Sequence, residues 1–126
     1  MNTDARVQVG EVMSSPLETI SKNATVQDAA KRMRDEEISA LVVTTDPPSI
    51  VTSTDVLTVA ADGRNAGDVP VTDVMTESVE TVPPDIYLEE VAAMLTTFGI
   101  KHLPVTNNDD EYVGMVSSTD VTAQLS

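Results

Sequence analysis

The stretch Gly114-Met115-Val116-Ser117-Ser118-Thr119-Asp120-Val121 decides the fold, because its pattern occurs a second time earlier in the chain. The earlier copy is Ser49-Ile50-Val51-Thr52-Ser53-Thr54-Asp55-Val56. Each copy is a short apolar run followed by hydroxyl residues and an aspartate, which predicts a strand that leads into the start of a helix. Two such strand-to-helix junctions indicate an internally duplicated unit.

The duplication extends well beyond the two junctions. A constant offset in residue number aligns Val12-Met13 with Val74-Met75, and after Asp46 a slightly larger offset places Asp55 on Asp120. The first copy therefore lacks three residues near Asp46. We expect a first repeat at residues 9–61, a Gly-rich polar linker at 62–70 and a second repeat at 71–126. Before the first repeat, Met1 to Val9 carry no pattern and predict a loose lead-in.

Each copy predicts one amphipathic helix after a short first strand. The strands are expected at Leu17 to Ile20 and Val79 to Val82, and Thr25 or Asn23 is the N-cap candidate of the first helix. The second helix precedes Gly99, which suits the left-handed residue that ends many helices. The apolar positions at helical spacing are Val26, Ala29, Ala30 and Met33 in the first copy and Leu88, Val91, Ala92, Leu95 and Phe98 in the second.

Two places distinguish the first copy from the second. Glu37 stands where the second copy has Gly99, and a glutamate tolerates a left-handed conformation poorly, so the first helix is expected to end differently. Strands at Ala40 to Val43 and His102 to Val105 each predict a hairpin with the following junction. Pro47 and Pro48 deny backbone donors to the first hairpin, which is therefore expected to be shorter and more distorted.

The composition excludes several classes of function. The chain has 126 residues, 7 basic against 21 acidic, a net charge of −14, no cysteine and one histidine, His102. The absence of cysteine excludes disulfides, thiol catalysis and Cys-ligated zinc, and so negative a field disfavours nucleic acids and anionic membranes. No apolar run reaches the ~18 residues of a membrane span, and a cytoplasmic protein is expected. With so few lysines, the charge also predicts a halophilic protein whose self-repulsion salt would screen.

These motifs together resemble the cystathionine-β-synthase (CBS) domain family. The residues that carry the resemblance are the tandem Val-Met openings, the segment Ile100 to Val105 and the paired junctions, over about Val9 to Leu125. The resemblance implies an α/β (α+β) fold, in which two pseudo-symmetric β-α-β-β-α repeats pack through their small sheets. A tandem pair of this kind is called a Bateman module.

The resemblance also implies a regulatory module that binds an adenosyl ligand. The ligand would be AMP, ADP, ATP or S-adenosylmethionine, with Mg²⁺ as a companion of the phosphates. In the family the junction aspartate holds the ribose hydroxyls and the hydroxyl residue three positions earlier approaches phosphate, which corresponds here to Asp55 with Thr52 and Asp120 with Ser117. The implied pockets add Met115, Met13, Pro16, Ile38 and Ser39 around Asp120, and Ile50, Met75, Ser78, Ile100 and Lys101 around Asp55.

Elementary chemistry allows these roles but also allows a simpler one. A carboxylate can accept hydrogen bonds from two vicinal hydroxyls, and hydroxyls at a helix N-terminus suit an anion. The same residues are ordinary capping residues, worth ~1 kcal/mol each. Lys101 and His102 are candidates to contact phosphate, with His102 making binding pH-sensitive, or they lie on the solvent face.

Three classes of function remain in competition. The leading one is a non-catalytic sensor that passes its signal to an unidentified regulated protein, since the sequence has no nucleophile–base pair and no Gly-rich phosphate loop. The alternative is a ligand-free dimerisation module with vestigial pockets, favoured by Ser49 in place of the family's usual glycine, by the shortened first hairpin and by Ala40. A third is a carboxylate metal enzyme formed across a dimer. Two such pairs commonly form a homodimer in the family, and the second junction, with its glycine and nearby cations, is expected to be the better binding site.

Overall fold

The computed structural model describes residues 6–15 and 17–125. The chain divides into two compact units, and neither unit consists of one repeat. One unit, here called the central unit, is Glu18–Val79, and the other, the terminal unit, joins the chain before Glu18 to the chain after Val79. The first residues of each repeat, 9–17 and 71–79, are here called its opening segment. Each opening segment therefore belongs to the same compact unit as the body of the other repeat.

The central unit contains the first repeat apart from its opening segment. In chain order its elements are β1 (Thr19–Ile20), α1 (Val26–Glu36), β2 (Ala40–Val43), β3 (Ser49–Thr52) and α2 (Ser53–Ala61), followed by 3₁₀ helices at Ala66–Asp68 and Val71–Asp73. The sheet has the order β1-β2-β3, with β1 parallel to β2 and β2 antiparallel to β3.

The terminal unit repeats this order with a smaller sheet. Two antiparallel strands form the sheet, and Val82 adds a single parallel bridge to Val105. The elements are a 3₁₀ helix at Val9–Glu11, α3 (Leu88–Phe98), β4 (His102–Thr106), β5 (Tyr112–Ser117) and α4 (Ser118–Leu125). The mixed α/β fold and the duplicated strand-to-helix junctions that the sequence predicted are both confirmed.

Helix α1 forms where the apolar spacing predicted it. Val26, Ala29 and Met33 are buried on its inner face. At its start the Thr25 N–H donates to Oδ2 of Asp28 at 3.0 Å, and the Asp28 N–H donates to Oγ1 of Thr25 at 3.1 Å. This reciprocal capping box pairs two backbone donors that the helix leaves open, so Thr25 and not Asn23 is the N-cap.

The prediction that the first helix ends differently from the second is wrong. Glu37 adopts φ 55° and ψ 47°, and Gly99 adopts φ 66° and ψ 34° after α3. In both copies the next residue closes the helix, because Ile38 donates its N–H to the carbonyl of Met33 and Ile100 donates to that of Leu95. Ile38 also packs against the core of the central unit, and this burial offsets the conformational cost at Glu37.

The expected distortion of the first hairpin is also wrong, although that hairpin is shorter. Strands β2 and β3 have four residues each and pair in continuous register from Ala40–Thr52 to Val43–Ser49. The register shift lies in the second hairpin, between Val105 and Thr106. Pro47 and Pro48 follow β2 within the loop, so their missing N–H groups remove no bond from the ladder.

The first strand of each repeat is shorter than predicted. β1 covers only Thr19–Ile20, and in the second copy the ordered pairing is reduced to the bridge of Val82. Val82 donates its N–H to the Pro104 carbonyl at 3.0 Å and accepts the Thr106 N–H at 2.9 Å. Pro83 follows at once and has no N–H to extend the ladder, which explains why the pairing stops there.

The sequence predicted a loose lead-in, but the part of it that the structure describes is ordered by contacts with the terminal unit. Met1 to Ala5 lie outside the described residues. Val9 is fully buried in the terminal unit, and its N–H donates to the Ile86 carbonyl at 2.9 Å. The equivalent residue in the central unit, Val71, is also fully buried and donates to the Ala24 carbonyl at 2.9 Å. One buried valine from each opening segment thus completes the core of each unit.

Candidate functional site

The two junctions repeat one arrangement of hydrogen bonds. In the central unit the Thr52 N–H and Oγ1 donate to Oδ2 of Asp55 at 2.8 and 3.1 Å, and the Asp55 N–H donates back to Thr52 Oγ1 at 3.4 Å. In the terminal unit the Ser117 N–H donates to Oδ2 of Asp120 at 2.9 Å, and the Asp120 N–H donates to Ser117 Oγ at 3.2 Å. All these bonds to the carboxylates end on Oδ2, so Oδ1 lies outside the capping box in both copies. These residues act as helix caps, and each carboxylate retains acceptor capacity for a further partner.

Each junction strand is bordered by the opening segment of the other repeat. Met115 and Ser14 exchange backbone hydrogen bonds of 2.8 and 2.9 Å in the terminal unit. Ile50 and Thr76 exchange bonds of 2.9 and 2.8 Å in the central unit. Ser14 and Thr76 occupy equivalent positions of the two copies, as do Ile50 and Met115. The two repeats therefore share this pattern of backbone hydrogen bonds as well as their sequence pattern.

The residue that begins each junction meets its opening segment differently in the two copies. A Cβ on Gly114 would stand 2.6 Å from Sδ of Met13 and 2.8 Å from the Ser14 carbonyl oxygen, so only glycine fits there. The central unit has Ser49 instead, which is 1% exposed and shares a hydrogen bond of 2.6 Å between its Oγ and Oγ1 of Thr45. The departure from the family's usual glycine is thus accommodated with its buried hydroxyl satisfied.

The central unit brings together one half of the predicted ligand residues. Thr52 and Asp55 form the junction, and the Ser39 carbonyl accepts the Ser53 N–H at 2.9 Å, so the turn before β2 lies beside the start of α2. Ser78 is exposed with φ 56°. The predicted residues located in this unit are Thr52, Asp55, Ile50, Met75, Ser78, Ile38 and Ser39.

The terminal unit holds the other half of the predicted ligand residues. Pro16 lies outside the residues that the structure describes. The Lys101 carbonyl accepts the Ser118 N–H at 2.9 Å, which repeats the Ser39 to Ser53 bond of the central unit. His102 pairs with Ser117 across the β4–β5 ladder. The predicted residues located here are Ser117, Asp120, Met115, Met13, Ile100, Lys101 and His102. Ile38 and Ser39, which the resemblance grouped with Asp120, share a unit with Asp55, and Ile100 and Lys101 share one with Asp120.

His102 is a titratable group without a titratable counterpart, because Ala40 occupies the equivalent position of the first copy. Burial lowers the pKa of His102, because the imidazolium form loses hydration there. The carboxylate of Asp120 opposes this shift, and the ammonium of Lys101 adds to it. A neutral imidazole beside the junction can accept or donate one hydrogen bond, and a nearby anion would favour its protonation.

Sequence reasoning did not single out Ser14, Thr76 or the carbonyls of Ser39 and Lys101. Their contributions are backbone hydrogen bonds, which have no signature in residue type. The one available signal was the repeat itself, since the alignment of the two copies places Ser14 on Thr76 and Ser39 on Lys101.

The part of the chain that the structure describes contains no group of three or more His, Cys, Asp or Glu side chains arranged to hold a metal ion. Its helices are all too short or too polar to cross a bilayer.

The family model for the CBS domain matches residues 9–62 and again residues 71–126. The chain belongs to the CBS domain family. Among curated proteins, this CBS pair is 30% identical over 119 residues to the uncharacterized protein MK0525 of Methanopyrus kandleri, and 33% identical over 116 residues to inosine-5'-monophosphate dehydrogenase of Nitrosopumilus maritimus. These matches cover 91% and 90% of the chain but only 61% and 23% of those proteins. The dehydrogenase is thus matched over about a quarter of its length.

Solved structures confirm the tandem CBS fold. The hexameric CBS-CP12 protein from bloom-forming cyanobacteria superposes with a TM-score of 0.90 at 29% identity, covering 97% of this chain and 74% of that one. The CBS domain pair of protein MJ0100, in complex with 5'-methylthioadenosine and S-adenosyl-L-methionine, gives 0.81 at 24% identity, over 94% and 95% of the two chains. A CBS domain protein from Pyrobaculum aerophilum complexed with AMP gives 0.80 at 21%, over 94% and 98%.

Proposed function

We propose that this CBS pair is a regulatory module that binds an adenosyl ligand, with Asp55 and Asp120 accepting hydrogen bonds from ribose hydroxyls. The observation that carries the proposal is the repeated junction, in which the capping bonds occupy Oδ2 and leave Oδ1 of each aspartate outside the box. A carboxylate fixed through one oxygen is preorganised, because the helix start already determines its rotamer. The adenosyl ligands bound by two proteins of the same fold support this ligand class.

The residues around each aspartate suit the remaining parts of such a ligand. Thr52 and Ser117 each place a hydroxyl directly before the first turn of a helix, where the peptide dipoles favour an anion. Apolar side chains from the opening segments and junction strands would contact the flat adenine. The proposed set is Thr52, Ile50, Met75, Ser78, Ile38 and Ser39 in the central unit, and Ser117, Met115, Met13, Ile100, Lys101 and His102 in the terminal unit, with Pro16 following Met13 in sequence.

Charge bears on which adenosyl compound binds more tightly. A formal net charge of −14 opposes the approach of ADP or ATP, whose phosphates carry several negative charges. High salt would screen this repulsion, and Mg²⁺ would arrive with the phosphates of the nucleotide. S-adenosylmethionine is not anionic overall, so its binding should depend less on salt than that of ATP.

The test is a pair of substitutions that keep the caps intact. Asp55→Asn and Asp120→Asn retain a side-chain oxygen for the capping bond but lose the charge that strengthens a bond to a ribose hydroxyl. Calorimetric titration with AMP, ATP and S-adenosylmethionine should show weaker binding by about 10-fold for the variant of an occupied site, with unfolding midpoints close to that of the unchanged protein. If none of these compounds stabilises the unchanged protein at a large excess, it is not an adenosyl sensor.

An interaction module is a second candidate, because α2 presents an apolar side chain to solvent. Leu57 is 68% exposed, and Phe98 at the end of α3 is 49% exposed. A partner that covered either side chain would remove its apolar surface from water, which favours association. Sedimentation of the unchanged protein and of Leu57→Ser over a range of concentrations would detect self-association and show whether it uses α2.

A further inference from the structure

The central unit has a groove that none of the roles proposed above uses. It lies between α1 and the end of the β1–β2 pair, with a volume of 510 Å³, within the range of small-molecule sites. Ile20, which is 7% exposed, contributes its apolar surface. None of the residues that line the groove belongs to either junction. A ligand held here would therefore contact residues other than Asp55 and Thr52.

Charges of both signs line the helical side of the groove. Asp28, Lys31, Arg32 and Asp35 lie on one face of α1, at spacings of three and four residues. The opposite side contributes the hydroxyls of Thr19, Ser21 and Thr44. A single helical turn, ~5 Å, therefore separates a cationic from an anionic group.

Most of these charges are already engaged, and this determines which remain for a ligand. Arg32 donates from Nη2 to Oε1 of Glu18 at 2.7 Å, and Arg34 donates from Nε to Oδ1 of Asp35 at 2.8 Å. Among the described residues Lys31 takes part in no ion pair. Hydrogen bonds from Thr25 and from Arg34 are the main causes that lower the pKa of Asp28 and of Asp35, and the positive charge of Lys31 adds to both effects. The ammonium of Lys31 thus lies between two carboxylates that both remain ionised.

The second repeat lacks this charge pattern, although it shares the fold. In the alignment of the two copies, Lys31 corresponds to Ala93, Arg32 to Met94 and Asp35 to Thr97. The pair formed by Lys31 and Asp35 has no charged counterpart in the second repeat, whereas Asp28 corresponds to Glu90. The lining belongs to the first repeat specifically.

We infer that this groove binds a small zwitterion of the free α-amino acid type, with its carboxylate on Lys31 and its ammonium on Asp35, one helical turn further along α1. The net charge of −14 repels a simple anion and attracts cations to much of the surface, so neither would be selected at this place. A net-neutral zwitterion is neither repelled nor attracted by the net charge of the protein, so its binding depends on a pair of opposite charges close together. The hydroxyls around the groove supply further partners for its polar atoms.

The experiment is a titration of the whole chain, labelled with ¹⁵N, with L-alanine, L-glutamine and L-leucine in turn. For a Kd of about 1 mM, concentrations up to about 20 mM suffice to approach saturation. The amide signals of β1, α1 and Thr44 should shift on binding. Acetyl-L-alanine, which lacks the ammonium, and L-alaninamide, which lacks the carboxylate, should bind at least about 10-fold more weakly because each loses one charge-assisted contact.

Variants assign the effect to the groove. Lys31→Ala and Asp35→Asn change exposed side chains of α1, so both should fold, and each should weaken binding by about 10-fold. Lys22→Ala removes an exposed lysine that does not line the groove and should leave binding unchanged. The inference is overturned if the groove signals do not shift, if the two blocked derivatives bind equally well, or if the Lys31 and Lys22 variants behave alike. The adenosyl titrations are separate, so failure here leaves the proposal for the junctions standing.

Discussion

Gly114 and Met13 lie so close together that a Cβ added to Gly114 would stand 2.6 Å from Sδ of Met13. The contact holds the first opening segment against β5, next to the exchange of backbone bonds between Ser14 and Met115. We expect Gly114→Ala to lower the free energy of unfolding by about 1–3 kcal/mol through overpacking. Urea denaturation measures this loss.

Gly67→Ala is the control for that substitution. A Cβ there would stand 3.1 Å from the end of the Gln27 side chain, which can move. Its effect should stay within about 0.5 kcal/mol. Combining Gly114→Ala with Met13→Ala should give less than the sum of the two single losses, and strict additivity would show that the two residues are not in contact.

The helix ends at Glu37 and Gly99 give a reciprocal prediction. Both residues are left-handed, with φ 55° and φ 66°. Glu37→Gly should raise stability by about 0.5–1 kcal/mol, because the cost of a side chain at positive φ exceeds the entropy that glycine adds to the unfolded chain. Gly99→Glu should lower stability by about 1 kcal/mol for the same reason. Thermal unfolding of the two variants compares them, and changes of equal sign would contradict the prediction.

Substitutions of Val9 and Val71 test whether packing of the opening segments stabilises the fold. Both are fully buried and each contributes to the core of one unit. Val9→Ala and Val71→Ala should each cost about 2 kcal/mol, as expected for deleting methyl groups from a packed core. A Val9→Ala variant as stable as the unchanged protein would mean that the first segment does not dock in solution.

His102 predicts a dependence of stability on pH. Its folded pKa lies below the ordinary value, because burial disfavours the charged ring. The unfolded chain therefore binds more protons as the pH falls below about 6.5, and stability declines by at most about 1.4 kcal/mol per pH unit from this one group. Urea denaturation at pH 7.5 and pH 5.5 (about one unit to each side of the ordinary value) should show a larger loss in the unchanged protein than in His102→Gln. Equal losses would exclude His102 as the source.

The acidic surface predicts that salt stabilises the fold. The chain has 21 acidic residues, and the described part forms three ion pairs, all through arginine. Repulsion among carboxylates is reduced as the Debye length falls to ~3 Å in molar salt. The unfolding midpoint should therefore rise from dilute buffer to molar KCl. A midpoint that is independent of KCl would refute the prediction of a halophilic protein.

Much of the fold was predictable because the same signals occur twice. Helical spacing located α1 and α3, Thr25 and Gly99 marked two of their ends, and β2 covers the predicted residues Ala40–Val43. Two of the errors have one physical origin. Glu37 is held left-handed by its neighbour's burial, and Val9 is buried by residues far away in sequence, so tertiary contacts decided both positions against local preference.

The candidate site was predictable in its residue types and in part of its grouping. Asp55 and Asp120 begin helices as the junction pattern predicted, and the structure shows the caps they form. The resemblance placed Met13 beside Met115, and the opening segment that contains Met13 does pair with β5. It grouped Ser39 with Asp120, whereas the Ser39 carbonyl binds the start of α2 through a backbone bond, for which side chains carry no code. A role for these aspartates in holding ribose stays a prediction until a ligand is titrated.

The assignment of each opening segment to the other repeat's body has a consequence for synthesis on the ribosome. The central unit is complete once Val79 has emerged, and it can fold while the second repeat is still being made. The terminal unit must wait for β5, because Ser14 pairs with Met115 about a hundred residues later. Until then the nascent chain carries the first opening segment without its partner, so a translational pause after Val79 would expose Val9 to chaperones or to a neighbouring chain.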